Sequence, residues 1–215
     1  MASWEIHLLL FQEIRDLNSL EHFNQYFETA SGDQSNASLI DFYRSVIFER
    51  LVKSEPEVLD LGCGTKSIFE DLNVVKENVI AIDFSDVAIS KTPSHSSINY
   101  LVVDLTTPNS FGKSKFDLIF DSHCLHCIEG YSEREVALKN IYNALSDDGL
   151  FCAEMMIQKS YKYVSLPFKH VPTALELERE LLDSGLKIIY FLISPGMVFH
   201  NENGECDLLR VVCRK

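Results

Sequence analysis

The sequence predicts an α/β fold: a doubly wound, mostly parallel sheet of seven strands with a C-terminal antiparallel hairpin, preceded by N-terminal helices. Five short apolar runs alternate with helical patterns between residues 57 and 155, as is typical of parallel strands joined by helical crossovers. Two further apolar runs follow a last helical pattern and are separated by a polar turn, which indicates a hairpin at the sheet edge. Ligands of such sheets bind beyond the carboxyl ends of the strands.

The N-terminal segment 1–55 is expected to form a helical cap. Residues 8–27 carry apolar side chains at roughly helical spacing, and a polar loop follows at 31–36. Residues 39–51 then repeat the apolar pattern at i, i+3, i+4 and i+7. Two amphipathic helices are therefore predicted before the sheet.

The core, residues 57–155, contains the first five predicted strands. They are 58–61, 79–82, 100–103, 116–120 and 150–153. Helices are predicted around 67–72, after Ser85, and over 132–145, where acidic residues in the first turn suit a helix N-terminus.

The last part of the chain completes a single predicted domain, 1–215. Residues 155–171 are rich in aromatic side chains, which either form a lid over a small molecule or simply cover the sheet. Residues 172–183 are predicted to form a helix that Gly185 ends. The runs 186–193 and 208–212 form the hairpin, so that 172–215 is the C-terminal helix and hairpin.

Composition narrows the classes of partner. The chain has 215 residues, with 32 acidic and 19 basic side chains and a formal charge of −13, which counts against nucleic acid and anionic membranes. It has no run of 18 apolar residues and no signal-peptide pattern, and its six scattered cysteines are expected to be reduced thiols. These features predict a cytoplasmic protein.

A glycine turn follows the first predicted strand, with the sequence Gly62-Cys63-Gly64-Thr65-Lys66-Ser67. Its glycines allow a ligand to approach the backbone. The dinucleotide fingerprint requires glycine or alanine where Ser67 stands, and the Walker spacing is missing. Asp60 lies just before the turn and would repel a pyrophosphate, whereas it would favour a ligand with an ammonium or sulfonium charge.

Two more acids follow the second and third strands, both of which are expected to be buried. Asp83, a little over 20 residues past the glycine turn, could accept both hydroxyls of a ribose. Asp104 could accept from an adenine amino group. Each could instead be a helix cap or a solvated charge, but acids at the same ends of three successive strands favour a site.

As a set, these motifs resemble those of the class I S-adenosylmethionine-dependent methyltransferases. The runs 116–119 and 145–150 belong to the same set of motifs. The resemblance covers about residues 57–155 strongly and the terminal helix and hairpin more weakly. It implies a Rossmann-like fold, S-adenosylmethionine as cofactor and S-adenosylhomocysteine as product. Many members have a third glycine where this chain has Lys66. The outer half of the loop is therefore expected to differ.

The resemblance also implies a role for each matching position. Gly62, Cys63 and Gly64 line the methionine part of the cofactor, and Asp60 attracts its cationic end, usually through water. Asp83 binds the ribose, Phe84 packs on the adenine, and Asp104 with Leu105 reaches the adenine edge. Asp121 and Ser122, at the end of the fourth strand, complete the cofactor site.

The segment after the fourth strand, 120–128, carries the candidate catalytic residues His126 and His123. Either imidazole could accept a proton from a hydroxyl or a protonated nitrogen. His126 could instead be a packing and cofactor-contact residue. Cys124 and Cys127 have a spacing compatible with zinc or a disulfide, but no second such pair exists, so that no metal is predicted.

The function predicted from the sequence is methyl transfer from S-adenosylmethionine to a small-molecule acceptor, through oxygen, nitrogen or sulfur. A protein acceptor is the alternative substrate class. A non-catalytic protein that keeps the fold, or a dinucleotide-dependent oxidoreductase, would be a different class of function.

Overall fold

The computed structural model describes residues 19–29, 36–159, 169–194 and 206–215, and these contain seven strands. The strands are β1 (Val58–Leu61), β2 (Val79–Asp83), β3 (Asn99–Val102), β4 (Phe116–Asp121), β5 (Leu145–Gln158), β6 (Lys187–Ser194) and β7 (Cys206–Arg214). They form one sheet in the order β3-β2-β1-β4-β5-β7-β6. The first five are parallel, and β7 runs antiparallel between β5 and β6. This arrangement confirms the predicted fold class.

The described part of the chain contains five α-helices. They are α1 (Ser19–Thr29), α2 (Ala37–Phe42), α3 (Asp86–Ser90), α4 (Tyr131–Ala144) and α5 (Ala174–Asp183). A π-helical turn, Tyr43–Ile47, continues α2. Thr173 and Glu176 form a capping box at the start of α5, and Gly185, at φ +95°, follows its end.

Helices cover both faces of the sheet. Leu59 and Leu61 point into a buried cluster that includes residues of α4 and α5. Val58, on the opposite face, belongs to a second cluster with residues of α2 and of the 3-10 turn Ile68–Asp71. Because side chains alternate along a strand, Asp60 shares the face of Val58. Packing on both faces of the sheet therefore fixes the loops at the carboxyl ends of its strands.

The structure corrects three details of the predicted elements. β3 is an edge strand on which Leu101 and Val102 are exposed, whereas burial was predicted from its apolar composition. The helix predicted at 67–72 is only the 3-10 turn Ile68–Asp71, and β5 begins at Leu145 rather than at residue 150. The aromatic residues Tyr161, Tyr163 and Phe168 of the predicted lid lie outside the described residues.

Two global features bear on the environment of the protein. All six cysteines are free thiols. In the part of the chain that the structure describes, no helix has the length and apolar character needed to cross a membrane.

Candidate functional site

A cavity of about 690 Å³ lies at the carboxyl ends of β1, β2 and β4, where the strand order reverses. Such a reversal opens a crevice between loops that diverge to opposite faces of the sheet. The loops after β1, β2, β3 and β4 all contribute to the wall, and α1 adds Phe23 and Phe27. The cavity volume falls within the range of about 300–1,000 Å³ that is usual for cofactor and small-molecule sites.

The glycine turn forms the floor of the cavity next to β1. Gly62 and Gly64 adopt φ values of +68° and +58°, in the left-handed region that favours glycine. A Cβ at Gly62 would lie 2.8 Å from the Cβ of Cys124, and one at Gly64 would lie 3.2 Å from the ring of Phe27. The turn is therefore in close contact with both the loop after β4 and α1.

Asp60 holds two of these loops together from behind the wall. Its side chain is fully buried, and its two oxygens accept hydrogen bonds from Ser67 Oγ at 2.6 Å and from Ser122 Oγ at 2.5 Å. Burial raises the pKa of Asp60 to about 7, despite these hydrogen bonds. Asp60 does not itself line the cavity, and its attraction of a cationic ligand stays a prediction.

Lys66, at the position where many family members have glycine, forms an ion pair with Asp71 at 2.9 Å. It also contributes to the cavity wall. The pairing directs the ammonium towards the 3-10 turn that follows the glycine turn.

Asp83 ends β2 and faces the cavity from the position predicted for a ribose-binding acid. Its oxygens accept from the backbone N–H groups of Gly64 and Ser85, each at 3.0 Å. Burial raises the pKa of the Asp83 carboxyl above its ordinary value. Since each carboxylate oxygen has two acceptor sites, both retain capacity for a ligand hydroxyl.

Phe84 lies next to Asp83 and under α1. The rings of Phe84 and Phe23 meet edge to face, with centroids 5.5 Å apart. Asn24 of α1 donates to Asp86 at 3.2 Å, and its Oδ1 accepts a hydrogen bond from Ser85 Oγ. Through these contacts α1 closes this side of the cavity with aromatic surface.

Asp104 and Leu105 form the outer rim beyond β3. Asp104 is exposed, and its Oδ1 accepts from Thr106 N at 2.8 Å and from Thr106 Oγ1 at 2.7 Å. Leu105 is buried and presents an apolar surface to the cavity. The rim therefore places the exposed carboxylate of Asp104 next to the apolar side chain of Leu105.

The loop after β4 is fixed by two buried charged groups. Asp121 accepts from Cys124 N at 2.7 Å and from Leu125 N at 2.9 Å, and like Asp60 it does not line the cavity. Arg134 of α4 donates to the carbonyl oxygens of Leu125 and Ile128 and pairs with Glu180 of α5. The hydrogen bonds of Asp121 fix the start of this loop, and its predicted cofactor role stays a prediction.

His126 lines the cavity but is only 2% exposed. Burial, followed by the charges of Lys169, His123 and Arg134, lowers the pKa of His126 well below its ordinary value. Its Nδ1 has no hydrogen-bond partner among the described residues. The ring is thus a neutral group with a nitrogen left over for a ligand.

His123, the second predicted histidine, lies at the other side of the same loop, 5.5 Å from His126 between ring centroids. It has a left-handed backbone, with φ at +70°, and its side chain is 42% exposed. Its Nε2 lies 3.3 Å from Oε1 of Glu154, which is buried on β5. This carboxylate partner distinguishes His123 from His126.

Glu154 was not predicted from the sequence. Burial raises its pKa, but hydrogen bonds from His123, Ser38 and Arg210 outweigh that effect and leave the pKa below the ordinary value. The signal available in the sequence was a single acid within the apolar run of β5, since a charge there needs partners. Lys169 was also missed, and its ammonium lies 3.8 Å from Cys127 Sγ at the cavity wall.

The cysteines at the cavity are protonated thiols. Burial raises the pKa of Cys63 and of Cys124, and it raises the pKa of Cys127 to about 11. Nowhere in residues 19–29, 36–159, 169–194 or 206–215 do three or more His, Cys, Asp or Glu side chains group so as to hold a metal ion.

All predicted site residues except Asp60 and Asp121 line the cavity. The lining residues among them are Gly62, Cys63, Gly64, Asp83, Phe84, Asp104, Leu105, Ser122, His123 and His126. Residues separated by more than 60 positions in the sequence therefore share one cavity.

Comparison with known proteins gives a family match over this region. Residues 59–153 match the family model described as a methyltransferase domain. An uncharacterized methyltransferase of Schizosaccharomyces pombe is 29% identical over 131 residues, which cover 59% of this chain and 50% of the relative. The ubiquinone biosynthesis O-methyltransferase of the same yeast is 30% identical over 91 residues, which cover 39% of this chain and 33% of the relative. The chain spans half or less of these two curated relatives.

A solved structure with the same fold is that of the N-methyltransferase NodS from Bradyrhizobium japonicum in complex with S-adenosylhomocysteine. The TM-score is 0.67 at 17% identity, and the match covers 93% of this chain and 99% of that one. At this identity the likeness concerns the fold.

Proposed function

We propose that the chain is a class I S-adenosylmethionine-dependent methyltransferase and that it transfers a methyl group from S-adenosylmethionine to a small-molecule acceptor. The observation that carries this proposal is the convergence of the glycine turn, Asp83 and the loop after β4 on one cavity at the strand-order reversal. The activity, the cofactor and the acceptor of the whole protein are all part of the proposal.

The residues present fit the cofactor that the family implies. Gly62 and Gly64 hold a left-handed turn that leaves the backbone open to a ligand, and Asp83 keeps acceptor capacity towards the cavity. When bound, S-adenosylmethionine supplies a methyl group on a cationic sulfur. Gly62, Cys63, Gly64 and Ser122 would hold its methionine part.

Asp83 would accept the ribose hydroxyls, and Phe84 would stack on the adenine. Asp104 and Leu105 would contact the adenine edge at the rim. The half-buried ring of Phe84 and the buried side chain of Leu105 support an apolar slot there, because a flat base loses water contact on both faces.

A small-molecule acceptor is supported by the shape and lining of the acceptor end. His123, His126, Cys127, Met156 and Lys169 line that end of the cavity. The protein's contribution to an in-line methyl transfer is alignment and exclusion of water, for which a concave site lined by side chains from several loops is suited. The similarity to a ubiquinone biosynthesis O-methyltransferase supports the same acceptor class.

We further propose a cytoplasmic location and no nucleic-acid partner. Six free thiols persist in a reducing compartment. A formal charge of −13 opposes binding to a polyanion.

Calorimetric titration with S-adenosylmethionine and S-adenosylhomocysteine tests the cofactor. Micromolar binding of both is expected, and Asp83→Ala should weaken it at least tenfold because a buried charged acceptor is lost. Asp148→Ala, at an exposed site outside the cavity wall, is the matched control and should bind like the parent. Equal affinity of Asp83→Ala and the parent would show that the site is misassigned, and tight NAD binding instead would favour an oxidoreductase.

The acceptor class is tested by incubating the protein with S-adenosylmethionine and either a small-molecule extract or a protein extract. Release of S-adenosylhomocysteine with the small-molecule fraction alone is expected. Label transfer to protein would assign the alternative class, and cofactor binding without release in either fraction would favour a non-catalytic protein.

A further inference from the structure

The pair formed by His123 and Glu154 has a geometry that His126 lacks. We propose that His123 accepts the proton that the acceptor must lose, that Glu154 is its positioning residue, and that the substrate is therefore a small molecule methylated at a hydroxyl or at a protonated nitrogen. This proposal rests on the proposed function, because it concerns the acceptor end of the same cavity.

Glu154 is fixed by partners on two other elements. Its Oε2 accepts from Arg210 Nε of β7 at 2.8 Å and from Ser38 Oγ of α2 at 2.7 Å. Arg210 is itself held by Asp41 at 3.0 Å and by the carbonyl oxygen of Ser38 at 2.8 Å. Since one oxygen is committed to these donors, Oε1 is presented to His123.

This arrangement decides which nitrogen of His123 carries the proton in the neutral ring. A carboxylate paired with Arg210 is ionised and can only accept hydrogen bonds, so Nε2 of His123 must donate to it. The lone pair of the neutral imidazole is then on Nδ1. A base needs such a lone pair together with access to substrate, and the His123 side chain is 42% exposed and lines the cavity.

His126 is the weaker candidate for the same task. Its ring is buried without a carboxylate partner, and burial lowers the pKa of His126, so that its affinity for a proton is reduced. Among the described residues, the charged and titratable groups next to His123 include Glu154 from β5, Asp121 from the end of β4 and His126 from the adjacent turn, and Cys127 Sγ lies 3.4 Å from the carbonyl oxygen of His123. The contact with Glu154 holds the ring of His123 in one orientation.

The chemistry of the acceptor follows from the presence of this base. Carboxylic acids are ionised at neutral pH and thiols ionise readily, so neither needs a positioned imidazole, whereas a hydroxyl or an ammonium group keeps its proton. For a hydroxyl acceptor, an oxygen lone pair forms the new bond to the methyl carbon as the carbon–sulfur bond breaks, its electrons leaving on sulfur. The O–H bonding pair stays on oxygen, and the proton passes to Nδ1 of His123.

The tautomer of His123 can be measured without any acceptor. Long-range proton–nitrogen NMR spectra of ¹⁵N-histidine-labelled protein at pH 8, assigned with His123→Gln, should show Nε2–H and a bare Nδ1. In Glu154→Gln the amide oxygen is needed by Arg210 and Ser38, so that the amide N–H faces Nε2. The tautomer of His123 is then expected to invert to Nδ1–H.

Asp41→Asn is the matched control, because it removes a carboxylate from the same arginine without touching His123. In this variant His123 should keep the tautomer of the parent. Thermal unfolding checks that all variants keep the fold. An Nδ1–H tautomer in the parent, or no change in a folded Glu154→Gln protein, would overturn the assignment.

The substrate class is tested with S-adenosylmethionine and a panel of phenols, alcohols and amines against matching thiols and carboxylic acids. Release of S-adenosylhomocysteine is expected with hydroxyl or amine members, and Glu154→Gln should lower that rate about 100-fold or more while cofactor affinity stays within twofold. Turnover of thiols or carboxylates alone, or no turnover of any hydroxyl or amine by a protein that binds the cofactor, would contradict the proposal. Lack of cofactor binding would instead refute the proposed function and leave the tautomer result standing.

Discussion

The two ends of the cavity are held in place in different ways. At the cofactor end, Asp83 binds the backbone N–H groups of Gly64 and Ser85, so that main-chain contacts of neighbouring loops set the geometry. At the acceptor end, the loop after β4 depends on side chains from distant elements, through Arg134 with Glu180 and through Glu154 with His123.

The cofactor end is thus held mainly by contacts between neighbouring loops, whereas the acceptor end is held by contacts between elements that are distant in the sequence. A glycine turn and the acid after the next strand suffice to describe the cofactor end. The acceptor end exists only after α4, α5, β5 and β7 have packed, because each contributes a charge that is buried or half-buried there. Variants that remove one support should therefore affect the two ends unequally.

The largest effect is expected from Arg134→Met. Arg134 is 1% exposed, and its removal leaves Glu180 and two loop carbonyls without their donor, which should cost about 3–5 kcal/mol of the free energy of unfolding. Lys53→Met breaks an ion pair in which the lysine side chain is 61% exposed, and it should cost less than about 1 kcal/mol. Urea denaturation compares the two, and similar losses would contradict a special role for the acceptor-end pair.

Gly62→Ala tests the contact between the two ends. The new Cβ would lie 2.8 Å from Cys124 Cβ and would also take a left-handed backbone, so that a loss of about 3 kcal/mol is expected. Gly112 has a similar φ of +56° with no atom within 4 Å of an added Cβ. Gly112→Ala therefore measures the backbone cost alone, about 1–2 kcal/mol. Equal losses in the two variants would show that the loops can separate freely.

Asp60→Asn sharpens the comparison through pH. Because the pKa of Asp60 is raised to about 7 in the folded protein, the folded state binds its proton more tightly than the unfolded chain. Stability contributed by the protonated group is therefore lost as pH rises from about 4 through 7. At pH 8 Asp60→Asn should therefore be more stable than the parent, because the neutral amide removes a buried negative charge, although one of the two serine contacts must rearrange.

Asp117→Asn should behave in the opposite sense. Burial raises the pKa of Asp117, but hydrogen bonds from Glu57 N, Lys53 and Ser146 outweigh it and lower the pKa. The stability that its carboxylate provides is present above the ordinary value and is lost as pH falls, so that Asp117→Asn should be less stable than the parent at pH 8. Chemical denaturation at pH 5 and pH 8 checks both signs, and a gain at pH 8 in both variants would contradict the pKa directions.

The smallest effect is expected from Asp104→Ala at the rim. The carboxylate is exposed, so its loss should reduce S-adenosylmethionine affinity about fivefold, roughly 1 kcal/mol, with no change in thermal stability. Calorimetry against Asp148→Ala measures the difference. A loss as large as that of Asp83→Ala would mean that the rim contributes as much as the buried wall.

The sequence was sufficient for the fold class and for gathering most of the site. Gly62, Asp83 and Asp104 could be placed at one sheet edge because parallel strands bring their carboxyl ends together. The pairing of His123 with Glu154 could not be predicted, since it depends on the register of β4 and β5 and on a left-handed residue that is not glycine. The enclosure of Asp60 and Asp121 by hydroxyl and amide donors could not be predicted either, because a motif gives the position of a carboxyl along a strand and not the donors that surround it.

The bond between Asp60 and Ser122 has a consequence for exchanging acceptor specificity among related enzymes. A loop graft over residues 122–130 would import new acceptor contacts, yet its first residue is also a hydrogen-bond donor to the carboxyl beneath the glycine turn. A graft that begins with an apolar residue would strand one oxygen of a fully buried acid, at a cost of about 1–3 kcal/mol. A workable exchange boundary therefore lies after Ser122, with the serine kept in the recipient.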